Sequence, residues 1–512
     1  MNAHVKIAGA LVLLGAVAAL GYKFGLPLLQ ERTQLLSSDA RDVKGRIAIG
    51  TDSWIGYFPL CSDEMARRMR AKGYVLRCVD DKADYAKRMA ALKSGQLQFA
   101  VATVDAYLQA GRDQGFPGAI VAVLDESKGG DAIVAWKDRV ASLDAIKAAG
   151  GRVSIAFTPN SPSEHLIRSA AVHFDISPLR GKGPWRHETD GSAAALEQLL
   201  GRKVDAAVLW EPDVSRALRT DGVIKLLSSA DTQRLIVDVL VAGSGVIKQD
   251  PEMVRTLVTT YFQLLREYVD APAKLEQAVA AGTRQPGEQV AAMLKGVAFA
   301  TLSDNAETWM GTTQQANALF DTIRSSVRVL IDSGTVAADP LPDQDPYRIL
   351  NRQFVGEAYT AATGAEVGRG PAPEVAKAFS PLDEAGWNRL REVATLKAFN
   401  VAFQSGTSDL SYEGKEELDR MMEILRHYPT FRVAVRGHTS TQGDAAANDT
   451  LSRDRADAVA RYLTVTYGID GHRMRVIGMG GGKPLPRSEG ESDRAWQYRL
   501  PRVEVALLAD PL

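Results

Sequence analysis

Small groups of hydroxyl, aromatic and carboxylate side chains stand directly after short apolar runs in the first half of this chain. Asp52, Ser53 and Trp54 follow Arg46-Ile47-Ala48-Ile49-Gly50, with Tyr57 close behind. Thr103 and Asp105 follow Phe99-Ala100-Val101-Ala102, and Ser127 precedes Asp131-Ala132-Ile133-Val134-Ala135-Trp136. Thr158, Asn160, Ser161 and Ser163 follow Arg152-Val153-Ser154-Ile155-Ala156, while Trp210 and Glu211 end the run that starts at Val204. In helix-covered parallel sheets, ligands lie beyond the carboxyl ends of the strands. Ser53, Trp54, Tyr57, Thr103, Ser127, Ser161, Ser163, Trp210 and Glu211 are therefore candidate ligand contacts. Ser161 and Ser163 precede a helix expected from Glu164, where free amides and the helix dipole favour an anion. Taken singly, either serine is explained as a helix cap and the tryptophans as half-buried packing. Taken together, they fit a small polar solute, neutral or anionic. Lys and Arg are scarce in those loops, so a fully charged phosphate would rely on amides and hydroxyls.

A second spacing lies in the last quarter: Gly437-His438-Thr439-Ser440, Gly443, Asn448, Leu451-Ser452, Arg455-Ala456 and Val459. It resembles the peptidoglycan-binding signature of OmpA-like domains. Phe403 and Leu410 before a helical stretch, Pro429 before the alternating Phe431-Val433-Val435, and the closing Arg502-Val503-Glu504-Val505 support the resemblance over residues 396–512. In that family an Asp after Gly-His-Thr and a later Arg hold the ammonium and carboxylate of diaminopimelate in a wall stem peptide. The chemistry asks for one acceptor-only anion and one forked guanidinium. Arg455 matches the second role, but Ser440 stands in the first. The resemblance thus implies a site at Thr439, Ser440, Asn448, Leu451 and Arg455. Serine keeps an acceptor and removes the counter-charge, a loss of about 1–3 kcal/mol for a charge-assisted bond. Asp444 in the same loop is a candidate to compensate, while Ala447 and Asp454 also depart from the family pattern. The alternative for Arg455 is a solvated residue at the margin of the helix face that carries Leu451, Val459 and Leu463.

These side chains need a scaffold, and the periodicity supplies one. Strands at 46–50, 74–79 and 99–102 alternate with helices at 62–72 and 83–94, and the rhythm restarts at 152–156 with helices at 164–174 and 193–200 and a strand at 204–209. Such alternation predicts an α/β fold with mostly parallel, helix-covered sheets in two lobes. Residues 131–136 and 234–242 are expected to cross between the lobes as paired hinge strands. This places lobe 1 at 46–135 and 240–364, and lobe 2 at 137–233. Residues 251–364 read as largely helical, and the break Gly368-Arg369-Gly370-Pro371-Ala372-Pro373 marks a linker over 365–395. Phrases such as Trp54-Ile55-Gly56-Tyr57-Phe58-Pro59, Leu92-Lys93-Ser94-Gly95-Gln96 and Leu209-Trp210-Glu211-Pro212 resemble the nitrate, taurine and sulfonate branch of ABC-type solute-binding proteins. That resemblance implies a bilobed periplasmic-binding-protein fold in which helices after residue 251 brace the first lobe.

Bulk properties narrow the function. The 512 residues exceed one ordinary domain. A net charge of -1 leaves no cationic excess to displace counterions, so no nucleic-acid partner is expected. Lys6 precedes an uncharged apolar stretch at 7–22, which exports the remainder of the chain, either as a transmembrane anchor in residues 1–30 or as a signal segment cleaved after Ala18. Residues 31–45 read as a polar linker. Cys61 and Cys78 are the only cysteines, and in an exported chain they are either a disulfide or two buried thiols. Pro484 after Gly478-Met479-Gly480-Gly481-Gly482-Lys483 rules out a phosphate loop, and no histidine pair or nucleophile elbow is present. No catalytic residue, cofactor or metal is expected. The sequence therefore predicts a Gram-negative envelope protein with three partners: the inner membrane, a small solute, and the diaminopimelate stem peptide of peptidoglycan. A permease or another envelope protein is a fourth candidate partner. The rivals are an adaptor that binds no solute and a soluble importer component.

Overall fold

The computed structural model describes residues 43–283, 285–312, 317–363, 379–397, 401–404 and 407–510. The apolar stretch 7–22 lies outside them, and among the described residues no helix is long and apolar enough to cross a membrane.

The chain begins with β1 (Gly45–Thr51), β2 (Tyr74–Asp80), β3 (Phe99–Thr103) and β4 (Gly118–Ser127). It then builds β5 (Asp131–Trp136), β6 (Ile155–Phe157), β7 (Arg186–Glu188), β8 (Ala206–Trp210) and β9 (Val223–Ser228), and returns as β10 (Val237–Gly243) and β11 (Val297–Phe299). One sheet has the order β11-β4-β10-β3-β1-β2 and a second β7-β6-β8-β5-β9, which are the two lobes. Strands β3, β5 and β10 are buried along their whole length, because helices cover both faces. Side-chain caps start the intervening helices: Ser62 accepts from the Met65 amide, Asp84 from Lys87 and Ser161 from Ser163. The helix Pro251–Asp270 buries Leu257, Tyr261, Leu264 and Leu265 on one stripe, and β11 adds a strand to the first sheet beside β4. The C-terminal helices thus brace lobe 1, as expected.

The hinge differs from the expectation. Strand β5 pairs with β8 and β9 in the second sheet, and β10 pairs with β3 and β4 in the first, so the two do not pair with each other. Residues 131–135 accordingly belong to the second sheet. The crossings are the short links 128–130 and 229–236. The apolar runs beside them are strands of one lobe each, and strand periodicity does not say which sheet a strand joins.

Ser229 ties the two crossings together. Its hydroxyl accepts from the amides of Gly129 (2.8 Å) and Asp131 (3.0 Å) and lies 2.8 Å from the Ser127 hydroxyl. Cys61, closing the helix Phe58–Cys61, is disulfide-bonded to Cys78 of β2, with Cα atoms 5.9 Å apart.

The third unit has β12 (Arg391–Thr395), β13 (Arg432–His438), β14 (Met474–Gly478) and β15 (Arg502–Ala509) in the order β12-β15-β13-β14. Strand β12 and the helix Glu384–Arg389 fall inside the stretch read as linker. The short, charge-rich Arg391-Glu392-Val393-Ala394-Thr395 carries little periodicity, and only its pairing with β15 makes it a strand.

Candidate functional site

Between the carboxyl ends of the two lobes' strands lies a cavity of about 20 Å3 lined by Asp52, Trp54, Tyr57, Ala83, Tyr85, Asp131, Ser161, Pro162, Trp210, Ile236 and Asp238. Of the sequence candidates, Trp54, Tyr57, Ser161 and Trp210 meet here. Ser53 is exposed and does not line the cavity. Ser127 sits in the hinge, donating to Asp131 Oδ2 at 2.7 Å. Glu211 accepts from the amide and hydroxyl of Ser215 (3.2 and 2.7 Å), so its carboxylate is spent on the first turn of the helix Asp213–Leu218. Ser161 both caps its helix and donates to the Thr158 carbonyl at 2.7 Å. Thr103 and Ser163 are buried behind the lining, their hydroxyls without hydrogen-bond partners.

The lining residues absent from the candidate contacts include three acids, Asp52, Asp131 and Asp238, and one tyrosine, Tyr85. Trp54 donates through Nε1 to Asp125 Oδ1 at 3.0 Å, and the Tyr57 hydroxyl donates to Asp238. Asp125 and Asp238 stand directly opposite in the β4–β10 register. Burial raises the pKa of both, and the charge of Asp125 raises Asp238 further. Asp131 is pushed up to about 7 by burial and by the charges of Asp105, Glu211 and Asp52, against the opposing Ser127 hydrogen bond. A visible sign existed: Asp125, Asp131 and Asp238 are acids in or at the edge of apolar strand runs, where an unpaired charge is expensive.

Arg88 is the cation that meets this set. Its fully buried guanidinium pairs with Asp52 at 3.0 Å and Asp81 at 2.5 Å, donates to the Val101 carbonyl at 2.7 Å, and lies 4.6 Å from the Tyr85 ring centroid.

The second candidate site surrounds the start of the helix Ala445–Tyr467. Gly437, next to last in β13, stands where a Cβ would fall 2.0 Å from the Ser452 carbonyl oxygen, so strand and helix touch backbone to backbone. This brings the 439–444 turn beside the helix. Asn448 Nδ2 donates to the Gln442 carbonyl at 2.9 Å, the Thr439 amide to Gly480 at 2.9 Å, and the Gly480 amide to Ser452 Oγ at 3.0 Å. Leu451 is half-buried. Arg455 is half-buried, its guanidinium 5.0 Å from the Phe403 centroid with Nε reaching the Thr407 carbonyl at 3.4 Å. Burial lowers its pKa, and among the described residues no carboxylate pairs with it. Residues 402–497 match the model of the OmpA family.

The C-terminal unit is an OmpA family domain.

Three similarities accompany that match. "Probable lipoprotein YiaD" of Escherichia coli is 36% identical over 108 residues, which are 21% of this chain and 48% of the relative. "Peptidoglycan-associated lipoprotein" of Rhizobium meliloti is 32% identical over 85 residues, 17% of this chain and 48% of the relative. The chain therefore spans about half the length of these curated relatives. Among solved structures, the periplasmic nitrate-binding protein NrtA from Synechocystis is similar at 12% identity and a TM-score of 0.49, covering 65% of this chain and 92% of that one.

Within the OmpA family domain, Ser440 makes only a long contact from its hydroxyl to the Gln442 carbonyl, 3.5 Å. Asp444, the candidate to compensate, is the helix cap and accepts from the Ala447 amide at 2.8 Å. The domain is also docked on both lobes. Its Tyr428 hydroxyl lies 2.8 Å from His173 Nδ1 of lobe 2, and the His427 ring stacks on His173 with centroids 5.6 Å apart. His427 Nε2 meets the Ser325 hydroxyl of lobe 1 at 2.8 Å, and its Nδ1 lies 2.8 Å from the Gln233 carbonyl oxygen. Arg328 of lobe 1 pairs with Glu423 of the domain. The buried apolar side chains of lobe 2 run without a break into those of the domain.

Proposed function

We propose that this is a cell-envelope protein that binds a small solute between its lobes and is held to the wall by peptidoglycan contacts of its OmpA family domain. The observation that carries the tether is the Arg455 guanidinium, half-buried on Phe403 and without a carboxylate partner among the described residues, where a stem-peptide carboxylate would dock. The name of the Rhizobium relative, a peptidoglycan-associated lipoprotein, supports the same reading. Solute binding is supported by convergence: loops after β1, β6 and β8, from both lobes, meet around one cavity. Opening and closing about residues 128–130 and 229–236 would admit and enclose the ligand, which stabilises the closed population by its differential affinity. In this reading the chain is exported by its N-terminal segment and serves transport or sensing without catalysing a reaction, with a permease or envelope protein as the receiver of its ligand state.

The test is cosedimentation of the full chain with diaminopimelate-type sacculi. Loss of one charge-assisted contact weakens binding about ten- to hundredfold, so Arg455→Ala should leave the pellet nearly free of protein. Equal pelleting of Arg455→Ala would refute Arg455 as the docking point, and failure of the parent chain to pellet would refute the tether.

A second reading, an adaptor without ligand, is favoured by one observation. The cavity is only about 20 Å3, and the OmpA family domain bridges both lobes. An adaptor would ignore every metabolite offered, whereas a ligand at a hundredfold excess over its Kd adds about 2.7 kcal/mol of stability.

A further inference from the structure

We propose that the interlobe cavity takes a small organic cation, an alkylammonium or guanidinium head, rather than the neutral or anionic solute expected from its hydroxyl-rich loops. This rests on the solute-binding reading above and names its ligand class. The lining holds three carboxylates, Asp52, Asp131 and Asp238, and four aromatic rings, Trp54, Tyr57, Tyr85 and Trp210. No Lys, Arg or His lines it. Burial makes ionisation of Asp131 and Asp238 costly, so a cation between the lobes is favoured because it stabilises their charged forms, whereas an anion would add to that cost.

The cations nearby are already committed. Arg88 serves two carboxylates, Asp52 and Asp81, so that cluster keeps a surplus negative charge. Lys128 pairs with Glu126 at 3.0 Å and donates to the Thr232 carbonyl, while Arg168 and Arg186 share Glu164, each at 2.6 Å. The one strong hydroxyl candidate in the lining, Ser161, spends its proton on the Thr158 carbonyl.

A further carboxylate stands behind the lining. Asp105, directly after β3 in lobe 1, is 1% exposed, and among the described residues neither of its carboxylate oxygens has a hydrogen-bond partner. Its charge reaches Asp131 across the lobes, where it contributes to the raised pKa of that group. Asp105 does not line the cavity and acts also on His165 and Arg168, so its part is to add negative field behind the lining.

The aromatic rings decide between an organic cation and a metal ion. Among the described residues no three His, Cys, Asp or Glu side chains stand close enough to hold a metal. The carboxylates surround a body rather than converge on a point. Indole and phenol faces attract an ammonium or guanidinium through the ring quadrupole and cover its apolar part. With the lobes as they stand the space is about 20 Å3, room for about one water, so the ligand enters by separation of the lobes.

The experiment is calorimetric titration of the full chain with choline, putrescine and agmatine, and in parallel with nitrate, ethanesulfonate and phosphate. The expected result is saturable one-to-one binding of at least one cation. Asp131→Asn should weaken it about ten- to hundredfold, and Trp210→Leu, at a half-buried position that does not threaten folding, several-fold. Binding of an anion with no response to any cation would overturn the ligand class and leave the solute-binding reading intact. A cation whose affinity is untouched by both substitutions would place it elsewhere and overturn the proposal. No response to either series would overturn this proposal and the solute-binding reading together.

Discussion

Replacing Arg88 by methionine should destabilise lobe 1 more than any single-residue change at its surface. The arginine side chain has no exposed area, and its two partners Asp52 and Asp81 are only 9% and 8% exposed. Methionine fills the aliphatic part of the space but leaves two buried carboxylates and the Val101 carbonyl without their donor. Removing one member of a buried ion cluster costs about 3–5 kcal/mol, because the remaining charge is left uncompensated in low dielectric. Burial already raises the pKa of Asp81 with the arginine present, so without it protonation becomes the relief route. The loss should therefore be full at pH 7 and smaller at pH 4. Urea denaturation of the full chain, following the transition assigned to lobe 1, measures it. Adding Asp81→Asn to Arg88→Met should recover at least about 1 kcal/mol, since neighbouring groups in one network are not additive. A cost under about 1 kcal/mol with no recovery in the double variant would refute the account of Arg88 as the counter-charge that holds Asp52 in the cleft.

Two further outcomes rest on the same geometry. His173 is held neutral where the OmpA family domain docks, its pKa pushed well below 6.5 by burial and then by the neighbouring His427 and His165; burial lowers His427 as well. The separated or unfolded state takes up the proton first, so docking is unaffected well above pH 6.5 and weakens as pH falls below it, by up to about 1.4 kcal/mol for His173 at pH 5.5 and less for His427. Heat denaturation at pH 7.5 and 5.5 checks this, and an unchanged junction at the lower pH would contradict it. Replacing Cys61 and Cys78 by serine opens a loop of separation 17 and should cost about 3 kcal/mol in lobe 1 on the chain-entropy account, measured as a lowered urea midpoint. A midpoint within error of the parent would show that the bond constrains nothing in the unfolded chain.

Much of the fold was legible because its evidence is local. The buried runs Phe99-Ala100-Val101-Ala102 and Val237 through Gly243 read as covered strands, and caps such as Ser62 and Ser161 mark helix starts within a few residues. The Gly437 to Arg455 spacing was readable for the same reason: one strand, one turn and one helix carry it, and Gly437 is required where strand and helix backbones touch. The cleft was read less well. Strand-end reasoning found Trp54, Tyr57, Ser161 and Trp210, yet it also selected Ser53, which is exposed, and Glu211, which bonds to Ser215 in the following helix. Side-chain type and position after a strand do not say which way a loop turns.

By itself the sequence determined the alternation of strands and helices, the two lobes, the residues able to form the disulfide, and the OmpA family domain, since periodicity and short-range spacing are properties of contiguous residues. Only the tertiary structure decided that Asp52, Asp131 and Asp238 share one cavity, that the links 128–130 and 229–236 and not strands β5 and β10 form the hinge, and that the OmpA family domain rests on both lobes through Tyr428, His427 and Arg328. Those facts depend on sheet order, strand register and the angle between lobes. These are set by long-range packing among residues up to 255 positions apart, such as His173 and Tyr428, about which no local window carries information.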